Sequence, residues 1–391
     1  MKILQYIHQV NFRGVILVLL SAGMFVAIAG YNVYWDGSKY HTGFYLLFLI
    51  PGLVYVATDL DLFREILRKP LSIFAVIFLF TVTLSLLYPD TEVHPEKELA
   101  KISLILVSLF IIGQFVSGNA ALFKKILMVG VVAVALVAVY HVYQFYWVEK
   151  HPYHVRLRGY FLPGNPLFVA GTFGFFVVAA TYLAIECRRQ SLVVLLMALS
   201  GCALMVAITA TQCRSFFVAV LAALVFPYFR KGRNTILVIL VSFLIVILLA
   251  VYINPALLER TELTRLQVWQ YSLELIGERP FFGWGSSYDM DMKTAGGTLI
   301  DPHNILLTVW LKHGMLAFVA LILLLGYASF VILNNRNNST LRLGGALLMF
   351  GVTMLFFEGH DIIAKPNRMW VMVWVPLGIM MGAIQAKGGE Q

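Results

Sequence analysis

Charged residues are scarce in this chain. They make up 13% of its 391 residues, whereas 60% are hydrophobic. A soluble domain carries about a quarter charged residues, so the composition excludes an ordinary soluble enzyme. The three cysteines lie far apart, which predicts neither a disulfide framework nor a cysteine metal site. The sequence also lacks a P-loop and a G-x-G-x-x-G segment, so it gives no sign of a nucleotide site.

Most of the chain consists of long apolar stretches. About 20 apolar residues in a helix cross the ~30 Å core of a bilayer. The pattern predicts an all-α polytopic membrane protein with about twelve transmembrane helices, in which residues 1–391 form a single integral membrane domain. The predicted stretches are 14–35, 43–58, 71–88, 99–117, 125–148, 167–186, 191–210, 214–229, 235–254, 313–333, 341–357 and 369–386.

Lysine and arginine in the short loops predict the orientation, because cytoplasmic loops are rich in both. Every predicted loop on the side of the two termini carries at least one of them, whereas loop 36–42 on the other side has only Lys39. We therefore expect both termini to be cytoplasmic. The formal net charge of +9 partly reflects this bias. The sequence has no basic tail and no nucleic-acid motif, so we expect no nucleic-acid partner despite this charge.

Several arginines nevertheless fall on the predicted external side. Loop 149–166 carries Arg156 and Arg158, Arg214 lies at the head of the eighth stretch, and loop 255–302 carries Arg265. Positive charge there opposes the insertion bias. An anionic ligand at the outer face would give it a use. Contact with lipid headgroups, or plain solvation, is the alternative.

The large external loop, 255–302, is too short to fold as an independent domain and is expected to pack on the helix bundle. Within it, "TRLQVWQYSLELIGERP" predicts a helix with a capping box at Thr264 and Gln267. Arg265 would lie in the first turn, where an arginine and free backbone N–H groups suit a phosphate. Pairing of Arg265 with Glu262 is the alternative. The predicted apolar stripe of this helix is Leu266, Trp269, Leu273 and Ile276.

A histidine at the mouth of an apolar run stands out in "DPHNILLTVWLKHG", residues 301–314. We expect residues 305–312 to form a short helix at the outer membrane surface, with the spanning helix beginning near His313. His303 would then lie at the membrane–water boundary. Since histidine titrates near pH 6.5, much of it is a free base at neutral pH.

The order of four segments resembles the O-antigen ligase superfamily, which also contains O-antigen polymerases and protein O-oligosaccharyltransferases. His303-Asn304, nine residues and then Gly314 are similar to its histidine motif. "QCRSFF" looks like its arginine segment at a helix start. "RLQVWQYSLELIGERPFFGWG" looks like its R-x3-W segment ending in P-x2-G-x-G, and "RLRGYF" resembles its R-x2-G-x-F segment.

The resemblance implies a glycosyltransferase in the bacterial inner membrane, with a periplasmic active site. It would take a glycan from undecaprenyl diphosphate and pass it to a sugar hydroxyl of lipid A–core. His303 would be the general base, while Arg265 and Arg214 would stabilise the diphosphate leaving group. One base acting on one attacking hydroxyl implies inversion at the anomeric carbon. The substrate-binding residues expected beside them are Arg156, Arg158, Asn304, Glu358 and Asp361.

We expect no cofactor and no metal. "DMD", residues 289–291, matches the D-x-D pattern that holds a divalent ion in many soluble glycosyltransferases, but a match this short in a polar loop favours a solvated acidic loop. His360 is the alternative base. Glu358 or Asp361 could orient a histidine instead of binding sugar hydroxyls.

The alternative functions are an O-antigen polymerase and a protein O-oligosaccharyltransferase of the same superfamily. A transporter of anionic solutes is a third. Secondary transporters carry ionisable groups near mid-membrane and often internal repeats. Here Lys101 and Glu186 lie only near helix ends and no repeat is evident, so the sequence disfavours transport.

Overall fold

The computed structural model describes residues 2–34, 36–86, 94–159, 165–226, 263–294, 297–335 and 337–384. Within them the chain is helical apart from one short hairpin and the loops. The helices, in chain order, are α1 Lys2–Phe25, α2 Tyr31–Val33, α3 Gly37–Gly43, α4 Ile50–Ala57, α5 Leu60–Leu67, α6 Pro70–Ser85, α7 Pro95–Tyr143, α8 Pro166–Glu186, α9 Ser191–Thr211, α10 Ser215–Val225, α11 Leu263–Glu278, α12 Ile305–Asn334, α13 Ser339–Glu358 and α14 Arg368–Ala383. π-Helical turns at Val26–Gly30, Phe44–Leu49 and Gln144–Val148 extend α1, α3 and α7.

The predicted fold class, an all-α polytopic membrane protein, is confirmed. The described residues contain 7 helices long and apolar enough to cross a membrane, or up to 8 if the bent pair α5 and α6 counts as one span. The expected number of twelve is not confirmed. The predicted stretch 235–254 lies outside the described residues, and 214–229 and 369–386 correspond to the shorter apolar helices α10 and α14.

Two predicted stretches, 99–117 and 125–148, both fall within one helical segment, Pro95–Val148, of 54 residues. A segment of 54 residues is more than twice the roughly 20 residues that one membrane crossing needs. Its helical geometry is interrupted at Asn119, with φ −142° and ψ 43°. The interruption falls between the two predicted stretches.

Polar contacts join residues of alternate loops at two places. Lys124, on the predicted cytoplasmic side, contacts Glu186 and lies 2.9 Å from Ser339 Oγ. On the predicted external side, Gln212 Nε2 donates to the carbonyl O of His154 at 3.0 Å. This grouping is what alternating crossings require. The compartment at each end of the bundle is a prediction that these contacts do not test.

Helix α14 lies in the core and positions the loop that precedes it. Trp370 and Trp374 are fully buried. The indole N–H of Trp374 donates to the carbonyl O of Ile362 at 3.0 Å, and the Asn367 side chain accepts from the backbone N–H of Trp370 at 2.9 Å. Loop 359–367 is thereby held against the bundle.

Helix α11 confirms the helix predicted in the large loop, but its packed face differs from the prediction. Leu266 and Leu273 are 56% and 49% exposed, so their place in the stripe was wrong. The buried face runs through Val268, Ser272 and Leu275 instead. The hydroxyl of the small residue Ser272 donates to the carbonyl of Val268 at 2.7 Å and lies 3.2 Å from the sulfur of Met290, so the following loop packs closely on this face.

The loop also contains an antiparallel hairpin, β1 Met292–Thr294 and β2 Gly297–Leu299, which was not predicted from the sequence. Strands of three residues are too short to show an alternating pattern. The capping-box residue Thr264 has no described side chain, and Glu262 lies outside the described residues.

Helix α12 is broken at Gly314, with φ +80° and ψ −179°. The break leaves carbonyl groups before Gly314 without N–H donors from their own helix. The P-x2-G-x-G segment, residues 280–285, supplies the donors. The backbone N–H groups of Trp284 and Gly285 donate to the carbonyls of Leu311 and Lys312, at 2.8 and 2.9 Å. The break matches the predicted division between residues 305–312 and a spanning helix that begins near His313.

Replacing Gly314 by alanine tests this break. A Cβ there would overlap the carbonyl of Phe281, and its backbone conformation is open almost only to glycine. We expect a loss of about 1–3 kcal/mol or more in stability, measured as a lower melting temperature of the detergent-solubilised protein. Gly326→Ala on the same helix is the control, because no atom lies within 4 Å of its added Cβ. Equal melting temperatures for the two variants would contradict the prediction.

Candidate active site

A buried carboxylate holds two histidines at the head of α12. Asp301 Oδ1 accepts a hydrogen bond from the backbone N–H of His303 at 2.9 Å and lies 2.7 Å from its ring Nδ1. Asp301 Oδ2 contacts Nδ1 of His360. The two imidazole rings meet edge to face, with centroids 4.9 Å apart. We call these three residues the Asp301 cluster.

The local backbone explains how His303 reaches this position. Its φ is +51°, in the left-handed region that few residues other than glycine adopt. Asp301 holds both the backbone and the ring of His303, which compensates for the strain of that conformation. Asn304 then begins α12 as its N-cap, and its side chain accepts from the backbone N–H groups of Leu306 and Leu307, at 2.9 and 3.2 Å.

His360 comes from loop 359–367, which runs close to the start of α12. An added Cβ at Gly359 would lie 3.0 Å from the backbone N of Ile305 and would overlap the carbonyl of Leu355. Only a residue without a side chain permits this approach. Gly359 therefore allows His360 to reach the same carboxylate as His303.

The charges of the Asp301 cluster reinforce one another. Burial by itself raises the pKa of Asp301, but the hydrogen bonds from His303 and His360 and the charges of both rings bring it below its ordinary value. Burial lowers the pKa of His303, but the hydrogen bond and charge of Asp301, together with the charge of Glu358, raise it above 6.5. With Nδ1 facing Asp301, Nε2 is the His303 nitrogen suited to take a proton. The His303 side chain is 32% exposed, so a substrate can reach it.

Arg265 joins this site through an ion pair with Glu358, the last residue of α13. Its Nη2 donates to Glu358 Oε1, which also accepts from the Ser215 hydroxyl at 3.1 Å. The guanidinium lies 5.9 Å from the ring centroid of Phe357. His303 lies within electrostatic range of both Arg265 and Glu358. The helix starts of α10 and α11 therefore meet the histidine segment here.

The other predicted arginines are placed unequally around this centre. Arg156 is half-buried, donates from Nε to the carbonyl of Thr211 at 2.8 Å and lies within electrostatic range of Glu358. Arg158, two residues further on, is exposed. Arg214 is the N-cap residue of α10, directly before Ser215.

Asp361, another predicted substrate-binding residue, contacts a different histidine. Its Oδ1 lies 3.7 Å from His313 Nε2 and accepts from the backbone N–H of Ile363 at 2.8 Å. His313 Nδ1 in turn lies 3.2 Å from the Ser85 hydroxyl. The structure thus assigns Asp361 to a second polar group beside the Asp301 cluster.

The Asp301 cluster has the composition and spacing of a metal site. Its three ligand atoms lie within 4.8 Å of one another, and it is the one such group found among the described residues. Two of those atoms, the Nδ1 of each histidine, already face the carboxylate. The D-x-D residues Asp289 and Asp291 are exposed, while Met290 between them is buried.

Two residues of this site were absent from the sequence-based set, Asp301 and Ser215. Both lie within two residues of a predicted site residue, and this closeness in the sequence was the one feature that could have identified them. Asp301 is separated from His303 by Pro302, and Ser215 follows Arg214. His360, predicted as an alternative base, lies on the same carboxylate as His303.

Comparisons with known proteins agree with the motifs. The family model described as O-antigen ligase matches residues 192–322, which include Arg214, Arg265 and His303. A Pseudomonas aeruginosa protein named O-antigen ligase is 27% identical over 365 residues, which is 93% of this chain and 90% of the relative. These findings support the O-antigen ligase family predicted from the sequence.

Replacing Asp301 by asparagine tests the electrostatics of the cluster. The change removes the charge that raises the pKa of His303 and leaves burial, which lowers it, so we expect the His303 pKa to fall. An NMR titration of ¹⁵N-histidine-labelled protein measures it, with the His303 signal assigned from a His303→Gln sample. Asp361→Asn, whose carboxylate contacts His313, is expected to leave the His303 titration unchanged. An unaltered His303 pKa in Asp301→Asn would contradict the pairing.

Proposed function

We propose that this protein is an O-antigen ligase that transfers a glycan from undecaprenyl diphosphate to a sugar hydroxyl of lipid A–core. The family match supports the class of reaction. The observation that carries the proposal is the Asp301 cluster beside Arg265, which puts a base and a cation next to each other. We further propose that the protein lies in the bacterial inner membrane with cytoplasmic termini and a periplasmic site, as its loop charges predict.

His303 acts as the general base in this proposal. Nδ1 donates its proton to Asp301, which fixes the tautomer and leaves the Nε2 lone pair for the hydroxyl of the acceptor. As that oxygen attacks the anomeric carbon, its proton moves to Nε2. The imidazolium that forms is stabilised by the Asp301 carboxylate. Asp301 and His360 are positioning residues, because they act through His303.

The arginines act on the leaving group. When the bond between the anomeric carbon and the diphosphate oxygen breaks, the bonding electrons remain on the diphosphate. Fixed cations stabilise this developing charge. A guanidinium has five N–H donors, so Arg265 can hold both Glu358 and a diphosphate oxygen. Arg156, which interacts electrostatically with Glu358, and Arg214, which directly precedes Ser215, are assigned to further oxygens, while Glu358 holds Arg265 in place.

The proposal assigns narrower roles to the remaining predicted residues. Asn304 supports His303 from the first turn of α12, since its side-chain oxygen is used in the cap. Arg158 is exposed and suited to a phosphate at the rim of the site. Asp361 orders loop 359–367 through its contact with the backbone N–H of Ile363.

A polymerase or a protein O-oligosaccharyltransferase would use the same residues with a different acceptor. The acceptor therefore distinguishes the three. In a strain that lacks this protein, loss of glycan from lipid A–core with intact polymer on the lipid carrier supports the ligase.

Transfer by the purified protein from lipid-linked glycan to lipid A–core tests the roles of His303 and Arg265. A general base contributes about 10²–10⁴ in rate, so His303→Ala is expected to lose that factor. Arg265→Ala is expected to lower the transfer rate by a factor of about 10²–10³, which is the effect of removing one hydrogen-bond donor that stabilises developing charge. Melting temperatures check that the variants fold.

His154→Ala and Arg189→Ala are the matched controls, since both side chains are exposed and lie outside the site. Both are expected to keep full activity. Full activity in His303→Ala would overturn the assignment of the base. The anomeric configuration of the product, read by NMR, is expected to be inverted, and retention would exclude direct attack.

Removal of metal ions tests whether the Asp301 cluster supports glycan transfer without a bound metal ion. If the two histidines and Asp301 form the hydrogen-bonded arrangement seen here, dialysis against EDTA is expected to leave the transfer rate unchanged. Loss of activity in EDTA with recovery on adding magnesium or zinc would contradict the proposal. A mock dialysis without EDTA is the control.

A further inference from the structure

A second polar site lies at the start of α7. It is a cavity of about 410 Å³ between α7, loop 359–367 and the loop that follows α11. Tyr45 and Ser287 line it with the first turns of α7. The charged and titratable lining residues are His94, Glu96, Lys97, Glu98, Lys101 and Lys365. We call it the α7 cavity.

Glu98 supplies a buried acceptor at the wall of this cavity. Its side chain is almost wholly buried, and its Oε1 accepts from Lys101 Nζ at 2.6 Å. Its Oε2 is buried and has no hydrogen-bond partner among the described residues. An ionised carboxylate oxygen only accepts, and leaving it unpaired away from water is costly. Glu98 therefore places an acceptor without a described donor at the wall of the cavity.

Cations line the opening of the same cavity. Lys97 and Lys365 are exposed there and form no ion pair with a described residue. The Glu96 carboxylate lies 3.2 Å from His94 Nδ1, and both side chains are exposed, so solvent screens this glutamate. The N-terminus of α7 adds partial positive charge. Three lysines against two glutamates leave the lining cationic.

This combination selects the chemistry of the ligand. A divalent cation is disfavoured by three lysines. A bare anion is disfavoured at the inner wall by the Glu98 carboxylate. A molecule that carries both hydroxyl donors and an anionic group satisfies both ends, with a hydroxyl on Glu98 Oε2 and a phosphate on Lys97 and Lys365. A phosphorylated saccharide has this chemistry.

The α7 cavity is close to the Asp301 cluster. Lys365 follows His360 by five residues, so their Cα atoms are at most ~18 Å apart. Ser287 follows Ser286, whose carbonyl accepts from Lys312 Nζ at 3.1 Å on the broken helix α12. A ligand with several sugar units can extend from one site toward the other.

We propose that the α7 cavity binds a phosphorylated sugar of the acceptor glycolipid and so holds the acceptor beside His303. This assignment rests on the proposed function. Glu98 takes a sugar hydroxyl, and Lys97 and Lys365 take the phosphate.

Calorimetry with the purified full-length protein tests binding directly. The probes are the deacylated core oligosaccharide with its phosphates and the same oligosaccharide after dephosphorylation. Two partly exposed lysine–phosphate contacts give about a tenfold preference for the phosphorylated form. We expect Lys97→Gln with Lys365→Gln to abolish this preference. Ala100→Trp, which fills the cavity from its wall, is expected to weaken binding of both probes.

Lys293→Gln is the matched control, because Lys293 is exposed on β1 and does not line the cavity. It is expected to bind both probes as the wild type does. Melting temperatures confirm that each variant folds. A double lysine variant that keeps the wild-type preference would overturn the proposal, as would unchanged binding in Ala100→Trp.

Transfer kinetics distinguish the two lipid substrates, since both carry phosphate. The double lysine variant is expected to raise the KM for lipid A–core about tenfold with kcat and the KM for the lipid-linked donor unchanged. A raised donor KM alone would assign the cavity to the donor and overturn the acceptor assignment. If the wild-type protein transfers no glycan but shows the binding preference, the proposed function fails while the phosphosaccharide site stands.

Discussion

The buried carboxylate of Asp301 is the interaction on which the candidate site depends. A charge removed from water is stable only when it is paired and hydrogen-bonded, and Asp301 meets this condition by accepting from two imidazoles and one backbone N–H. The two histidines come from segments 57 residues apart in the chain, at positions 303 and 360. Their shared partner joins the head of α12 to the loop before α14, and thereby sets the position of the proposed base.

The break in α12 is the second constraint. A continuous helix through Gly314 would leave the P-x2-G-x-G segment without acceptors for Trp284 and Gly285. Those bonds attach the end of α11 to α12, and the start of α11 carries Arg265. The histidine motif and the arginine motif are thus parts of one folded unit. Gly283 and Gly314 are needed where backbone segments come into contact, since an added Cβ at Gly283 would lie 2.6 Å from the carbonyl O of Lys312.

The sequence predicted the helical class, most of the apolar helices and the histidine and arginine segments, because helix length and motif spacing are local properties. It did not predict contacts between distant segments. Asp301 was overlooked because its partner His360 lies in another loop. The buried face of α11 was misassigned because two sets of residues have helical spacing, one through Leu266 and Leu273 and the other through Val268 and Leu275. The packing of Met290 against Ser272 buries the second set. The D-x-D pair at 289–291 was rightly expected to be solvent-exposed, since only Met290 faces the protein.

The ion pair between Arg265 and Glu358 has a consequence for turnover. In the resting protein an internal carboxylate already occupies part of the arginine that the proposal assigns to the leaving group. An incoming anion must therefore bind the remaining N–H donors beside that carboxylate, whose charge weakens the attraction of Arg265 for the singly charged headgroup of an ordinary membrane lipid. A diphosphate gains more, since its several oxygens can bind Arg265 and its neighbours together. Once the glycan has left, repulsion from the nearby Glu358 carboxylate favours release of the lipid diphosphate over product inhibition.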